Sequence, residues 1–379
     1  VNTQGLYAAD FHVHSAPSFD SSIPIEERLR GFVAQGGDVL IATEHNVLVD
    51  YQHVVRQLGL QDRLHVISGI ELTGMARTSS AAYTNGHLNV FPVQEKPTHF
   101  SGGLPKHEGL RLRELYASFS AAEKRPLFQL NHPRTVDLGS EDFDGNFFEH
   151  LYSGQRYDPA QDLSSSGNKV LLEKDSKTGL RDLDFDLLEV ANGPAYDNYK
   201  RTQADWFSLL SQGERIVGTA NSDTHGTRHL VAIPQNFIAL NSYTDEAFLK
   251  AVKNGQMFGS TGPILEVSIE NSTATRLGDT YSGGSFMLNV SVQAASWVPV
   301  SEVSILINGE VTQRQAVAAG QTIAVQIDVT KDSYLVVEVN GEASKLYNEL
   351  APDFQPFAFT NPIYIDADQD GQWLAPGLK

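Results

Sequence analysis

His12 and His14 stand two residues apart at the end of a short apolar run, in the segment Asp10-Phe11-His12-Val13-His14-Ser15-Ala16-Pro17-Ser18-Phe19-Asp20. On a β-strand that spacing turns both imidazoles to one face, where a single cation can bridge them. Taken alone, the pair reads equally as two polar residues at a strand end. Five further strand-like apolar runs carry a histidine or an acid at an end: Ile41-Ala42-Thr43-Glu44-His45, Val66-Ile67-Ser68-Gly69-Ile70-Glu71, Gly86-His87-Leu88-Asn89-Val90-Phe91, Phe128-Gln129-Leu130-Asn131-His132-Pro133-Arg134 and Gly218-Thr219-Ala220-Asn221-Ser222-Asp223-Thr224-His225. The chain has no cysteine, so thiolate zinc sites, disulfides and Cys nucleophiles are excluded. Imidazole and carboxylate remain as the metal-ligand chemistry.

Something must bring these ends together. Between about 6 and 262, short apolar runs (8–14, 38–43, 64–71, 86–92, 126–131, 185–190 and 216–221) alternate with helical stretches at 25–33, 49–59, 108–123, 198–212 and 244–254. That alternation predicts an α/β fold with largely parallel strands, closed as a barrel because the glycine-rich phosphate fingerprint of open sheets is missing. Side chains at the C-terminal ends of barrel strands share one mouth. His12, His14, Asp20, His45, Glu71, His87, His132, Asp223 and His225 are therefore predicted to converge, enough for three divalent ions with one bridging carboxylate and some water or substrate oxygens. The Gly/Ser/Asp/Asn-rich stretch 136–182 reads as an insertion over that mouth or as a solvated excursion.

After Gly262-Pro263 the pattern changes to alternating strands separated by Asn308-Gly309 and Asn340-Gly341, which predicts a C-terminal β-sandwich over 263–379. All twelve histidines precede it, the last being His229. Lys+Arg number 28 against 46 Asp+Glu, a net charge of −18 that disfavours nucleic acid and anionic membrane surfaces as partners. No run approaches the ~18 apolar residues of a membrane span. A start at Val1, the appended sandwich and Asn/Ser-rich turns lean toward a periplasmic or extracellular location, with the cytoplasm as the alternative.

In order and residue type, the segments resemble the motifs of the PHP (polymerase and histidinol phosphatase) superfamily over about 6–262. With the Gly86–Phe91 motif and the trailing β-domain, the chain is most similar to the branch that includes carbaryl hydrolase. The resemblance implies a distorted (β/α)7 barrel followed by the sandwich, and three metals. It would give the first ion His12, His14, Glu71 and Asp223, the second Glu71, His87 and His132, and the third Asp20, His45 and His225. Two residues depart from the family pattern: Glu44 precedes His45 where Asp is common, and Asp20 stands where several members carry His. An oxygen ligand at Asp20 lets manganese or iron compete with zinc.

The expected activity is hydrolysis of a small molecule by a metal-bound hydroxide, with a phosphoesterase first. An ester, carbamate or amide hydrolase is the alternative, and a non-catalytic metal-containing binding module the rival of another class. Arg134 is a candidate clamp for an anionic oxygen, a structural salt bridge being the other reading. His229 is a candidate proton donor, with a plain surface role as the alternative. Glu189, ending the sixth strand, reads as a ligand-orienting group or as a buried paired acid. Asp366, Asp368 and Asp370, followed by Gly371, copy the first half of a calcium loop, but Gly377 stands where its last bidentate acid belongs. An Asx-rich turn is the alternative there.

Overall fold

The computed structural model describes residues 1–74, 85–120, 124–134, 146–272 and 275–378. The apolar runs do become strands: β1 (Leu6–Val13), β2 (Val39–Ala42), β3 (His65–Ser68), β4 (Ile70–Thr73), β5 (His87–Phe91), β6 (Leu127–Leu130), β7 (Leu187–Asn192) and β8 (Val217–Asn221), joined by β9 (Gln235–Ala239) and β10 (Met257–Ser260). The helices are α1 (Ile25–Ala34), α2 (Gln52–Gln57), α3 (Leu112–Ser118), α4 (Tyr196–Ser211) and α5 (Asp245–Lys253). Pro24 sits immediately before α1, Glu26 and Glu27 complement its N-terminal dipole, and Gly36 at φ +86° ends it in the left-handed region.

The expected (β/α)7 barrel is not what these strands build. They divide between a five-stranded sheet, β4-β5-β6-β7-β8, and an 11-stranded sheet that begins β3-β2-β1-β9-β10. Pairing is mixed: β1–β2, β2–β3, β6–β7 and β7–β8 are parallel, while β4–β5, β5–β6, β1–β9 and β9–β10 are antiparallel. The run 64–71 shows why. It breaks at Gly69, so β3 and β4 are one residue apart, whereas parallel neighbours need a crossover of a dozen residues or more. A Cβ at Gly69 would sit 3.1 Å from Ile41, Phe91 and the Val90 carbonyl, so the chain crosses between sheets where only glycine fits comfortably. The sheets meet at two single bridges, Val13 with Thr224 and His45 with Glu71.

Beyond 262 come β11 (Ile264–Ile269), β12 (Thr280–Ser282), β13 (Ser285–Gln293), β14 (Glu302–Ile307), β15 (Glu310–Ala316), β16 (Gln321–Asp328), β17 (Ser333–Asn340), α6 (Lys345–Leu350), β18 (Phe357–Thr360) and β19 (Ile363–Asp366). Burial alternates along β13, and Leu288, Val290, Val292, Val325 and Ile327 of the sheet β11-β13-β16 share a core with Val303, Ile305, Val337 and Val339. This is the sandwich that period-2 patterning predicts. Its second layer continues the large sheet across the expected boundary, because β10 pairs with β18 (Phe258 with Thr360).

Of the stretch 136–182, residues 136–145 lie outside those described. From Asn146 onward it is anchored in the interior: Phe147, Phe148, Leu151, Tyr157, Leu163 and Val170 join the largest core, with Leu112, Leu115 and Tyr116 of α3 and Trp206 of α4. Each fully buried Phe there contributes about 2–3 kcal/mol. Among the described residues no helix is long and apolar enough to cross a membrane.

Candidate metal centre

All nine sequence-predicted side chains lie where the two sheets meet. His12 is on β1, with His14 just beyond it, and His45 follows β2. Glu71 is the second residue of β4, His132 lies two residues past β6, and Asp223 and His225 follow β8. His87 departs from the C-terminal-end expectation. It opens β5, which runs antiparallel to β4, and it reaches the same rim by pairing with Thr73 at the end of β4. His132 and Asp223 hold left-handed backbones, φ +22° and +48°. Such conformations cost non-glycine residues energy, and they turn these side chains back toward the seam.

Glu71 is the centre. Its carboxylate lies 3.1 Å from His12 Nε2, 3.5 Å from His14 Nε2, 2.7 Å from His45 Nδ1, 3.0 Å from His87 Nδ1 and 3.6 Å from His132 Nε2. Asp223 Oδ1 is 3.2 Å from both His12 Nε2 and His14 Nε2. On the outer side, Asp20 Oδ2, His45 Nε2 and His225 Nε2 form a nearly equilateral triangle of 3.2, 3.2 and 3.3 Å. Ligand atoms about 2.0–2.2 Å from a tetrahedral ion stand about 3.3–3.5 Å from one another, so these spacings suit a shared cation.

Orphaned atoms provide an independent test of fit. His12 Nε2, His14 Nε2, Glu71 Oε2 and Asp223 Oδ1 are buried without a hydrogen bond. Desolvating such atoms unpaired costs about 1–3 kcal/mol each, which a bound cation would offset. The opposite edges of the rings are engaged. His12 Nδ1 is 2.9 Å from Glu189 Oε1, His14 Nδ1 is 3.0 Å from Ser18 Oγ, and His225 Nδ1 is 2.9 Å from the Asp223 carbonyl. A carboxylate or carbonyl can only accept, so Nδ1 of His12 and of His225 carries a proton, which leaves Nε2 as the nitrogen that would offer a lone pair to a cation once its own proton is displaced. The Ser18 hydroxyl donates to Glu44, leaving its oxygen to accept from His14 Nδ1.

Electrostatics agree. Burial alone would push the Glu71 carboxyl up, but the imidazoles of His45, His12 and His87 hold it well below the usual carboxylate range. Burial pushes His14 down to about 3 against the pull of Asp223 and Glu71, so it is neutral and its lone pair is free. Burial also opposes a charge on His12, yet Asp223, Glu189 and Glu71 raise it well above its ordinary value. The pocket favours positive charge at its inner end.

Sequence reasoning missed the polar layer under this cluster. Asn131 Nδ2 donates to Glu71 Oε1 at 2.8 Å, Gln129 donates to Asn131 Oδ1, and Asn221 donates to Glu189 Oε1 at 2.9 Å. Asn192 donates to both Glu189 Oε2 and Asp223 Oδ2, at 2.9 and 3.0 Å. The available signal was polar side chains at alternate positions of otherwise apolar runs, Gln129 in β6 with Asn131 just past its end, and Thr219 and Asn221 in β8. Glu189 is buried and paired with His12, and it also accepts from the His132 backbone N–H at 2.8 Å. Glu44, 1 % exposed, accepts from the backbone N–H groups of Ser15 and Ser18, both at 3.1 Å, and from the hydroxyls of Ser15, Ser18 and Tyr51. It fastens the loop between His14 and Asp20.

Three expectations are corrected. Arg134 does not reach into the site: its guanidinium forms a bidentate pair with Asp205 at 2.7 and 2.8 Å and donates to the carbonyls of Phe148 and Tyr157. It ties the 146–157 segment to α4. The His229 ring meets Asp353 Oδ2 at 3.6 Å and the Phe354 ring, partners outside the nine side chains. Asp370 is not grouped with Asp366 and Asp368; its Oδ1 accepts from Gln372 N–H, and the third carboxylate gathered there is Asp332.

No family model matches this chain, and no curated protein does. Among solved structures, the chain is similar to the solution structure of the CARDB domain of a Pyrococcus furiosus protein, at 15% identity over 27% of this chain and 95% of that domain, with a TM-score of 0.18. A crystal structure of that domain in complex with di-metal ions is similar at 13% identity over 27% of this chain and 94% of that one, with a TM-score of 0.17.

Proposed function

We propose that the chain is a metal-dependent hydrolase of small ester substrates, a phosphoesterase first, with three divalent cations (zinc, manganese or iron). The first is held by His12, His14, Glu71 and Asp223, the second by Glu71, His87 and His132, and the third by Asp20, His45 and His225. One observation carries this reading: four buried ligand atoms, His12 Nε2, His14 Nε2, Glu71 Oε2 and Asp223 Oδ1, lie together without hydrogen bonds. The resemblance of the motifs to PHP metallohydrolases supports the same chemistry; the barrel usual in that superfamily is no part of the proposal.

Bound divalent cations would supply Lewis acidity, lowering the pKa of a coordinated water and polarising a phosphoryl or carbonyl oxygen. The chain's own residues position. Glu189, Ser18 and the Asp223 carbonyl fix the ring orientations, and Asn131 and Asn192 aim the two carboxylates. Substrate enters from the Asp20 side, because the Asp20 and His225 side chains are 37% and 30% exposed while those of His12 and His14 are at 0%.

A second reading, hydrolysis of a carboxyl ester, carbamate or amide, draws on two observations. The guanidinium that would have clamped a phosphate is held by Asp205, and Phe19, 65% exposed, stacks on His45 with ring centroids 4.8 Å apart at the entrance. An apolar acyl or leaving group fits such a ring. The test is turnover of generic phosphomonoester, phosphodiester, carboxyl-ester and carbamate substrates by the metal-loaded protein. Turnover of either phosphoester supports the first reading and turnover confined to the carbonyl substrates the second. None with any of them, in fully metallated protein, leaves a binding module instead.

A further inference from the structure

A second group of acids lies at the far end of the sandwich, where β19 ends in Asp366. Oxygens of Asp332, Asp366 and Asp368 lie within 4.8 Å of one another. Asp366 is 2% exposed, and its Oδ1 is buried with no hydrogen-bond partner, while Oδ2 accepts from Gly371 N–H at 3.1 Å and from Ser282 Oγ at 3.3 Å. Three carboxylates at this spacing repel one another, and the buried oxygen has lost its water without gaining a donor. A cation removes both costs.

The loop chemistry specifies which cation. Asp366, Asp368, Asp370 and Gly371 follow the spacing of a calcium loop, with the turn glycine at φ +86°, but the closing acid of the loop is replaced by Gly377. Asp332 makes good the missing carboxylate from elsewhere in the chain, the turn between β16 and β17. Its oxygens also accept from the N–H groups of Ala367 at 2.8 Å and Leu374 at 2.7 Å, which brings it against the loop. An all-oxygen set of hard, anionic ligands suits calcium rather than the softer ions of the histidine cluster.

We propose that Asp332, Asp366 and Asp368 form a calcium site that fastens the C-terminal segment 367–378 to the sandwich. That segment crosses back over the protein: Trp373 Nε1 donates to the Ser333 carbonyl at 2.7 Å, its ring meets Tyr364 at 4.8 Å, and Gly377 N–H donates to Ser211 at the end of α4 at 2.8 Å. The ion would thus join two stretches distant in sequence, the turn that holds Asp332 and the loop that starts at Asp366, and its free energy of binding would stabilise the native state.

The test uses the full chain, stripped of calcium with EGTA and titrated with calcium chloride by calorimetry and by thermal unfolding. With affinity on the order of 10⁻⁴ M, as in extracellular modules, 1 mM calcium stabilises the native state by about 1.4 kcal/mol and raises Tm by about 2 °C. Asp368→Ala, an exposed position whose loss leaves the fold intact, abolishes both the binding heat and the Tm shift; His12→Ala retains both. No heat and no shift in folded wild-type protein overturns the proposal. So does an undiminished response in Asp368→Ala, or a response lost in His12→Ala, which would place the ion at the histidine cluster.

Discussion

Nε2 of His45 and Nε2 of His225 lie 3.3 Å apart, and each is 3.2 Å from Oδ2 of Asp20. Two imidazole nitrogens beside a carboxylate, brought together from three separate segments, have the spacing a shared cation needs, and Asp20 is the member most open to solvent.

Asp20→Ala should therefore remove one ion and spare the others. Its side chain is 37% exposed, so the fold tolerates the change. Metal analysis of the purified variant should show a deficit of about one equivalent, with the inner ions retained. An unchanged metal content would remove Asp20 from the site.

Glu189→Gln tests the orienting role. The variant offers His12 Nδ1 an amide that can present its N–H as well as its oxygen, which frees the ring to turn or to change tautomer. Loss of such a partner costs roughly 10–100-fold in metal affinity or activity. Competition with a chelating dye should show that drop while the far-UV spectrum stays as in the wild type.

Arg134→Met should act on stability and leave the chemistry alone. It strands Asp205, whose carboxyl burial pushes up to about 6 even with Arg134 beside it. Removing one partner of a buried pair costs about 3–5 kcal/mol. Urea unfolding should show that loss, with kcat and KM of the folded fraction unchanged; a selective rise in KM for anionic substrates would restore the clamp.

Stripping all metal with EDTA should lower Tm and abolish turnover. On the proposed function, the buried oxygens of Glu71 and Asp223 would lose the cation that replaces their hydration, and an ion present at about 1,000 times its Kd contributes about 4 kcal/mol. Re-addition of zinc, manganese and iron separately identifies the metal that restores both. Activity that survives complete demetallation would end the metallohydrolase reading.

Phe19→Ala should raise KM about tenfold for substrates with an apolar group, the equivalent of about 1.4 kcal/mol, and leave kcat within a factor of two. Steady-state kinetics on paired apolar and polar esters reads the difference.

Local composition was enough to say which residue types could form the centre and where along the chain they sit. No cysteine and six apolar runs bearing His or acid at an end were legible because strand patterning is written in windows of a few residues. The antiparallel sandwich was legible for the same reason. Pairing was settled by long-range packing. Gly69 sends one apolar run into two sheets, His87 serves from the start of an antiparallel strand, and Arg134 turns to Asp205, 71 residues away. Glu189 reaches His12 across 177 residues, and Asp332 reaches Asp366 from another turn. Local periodicity says that a strand exists and which face is apolar. Which strand lies beside it depends on the free energy of burying all the faces at once, and that quantity belongs to the folded chain as a whole.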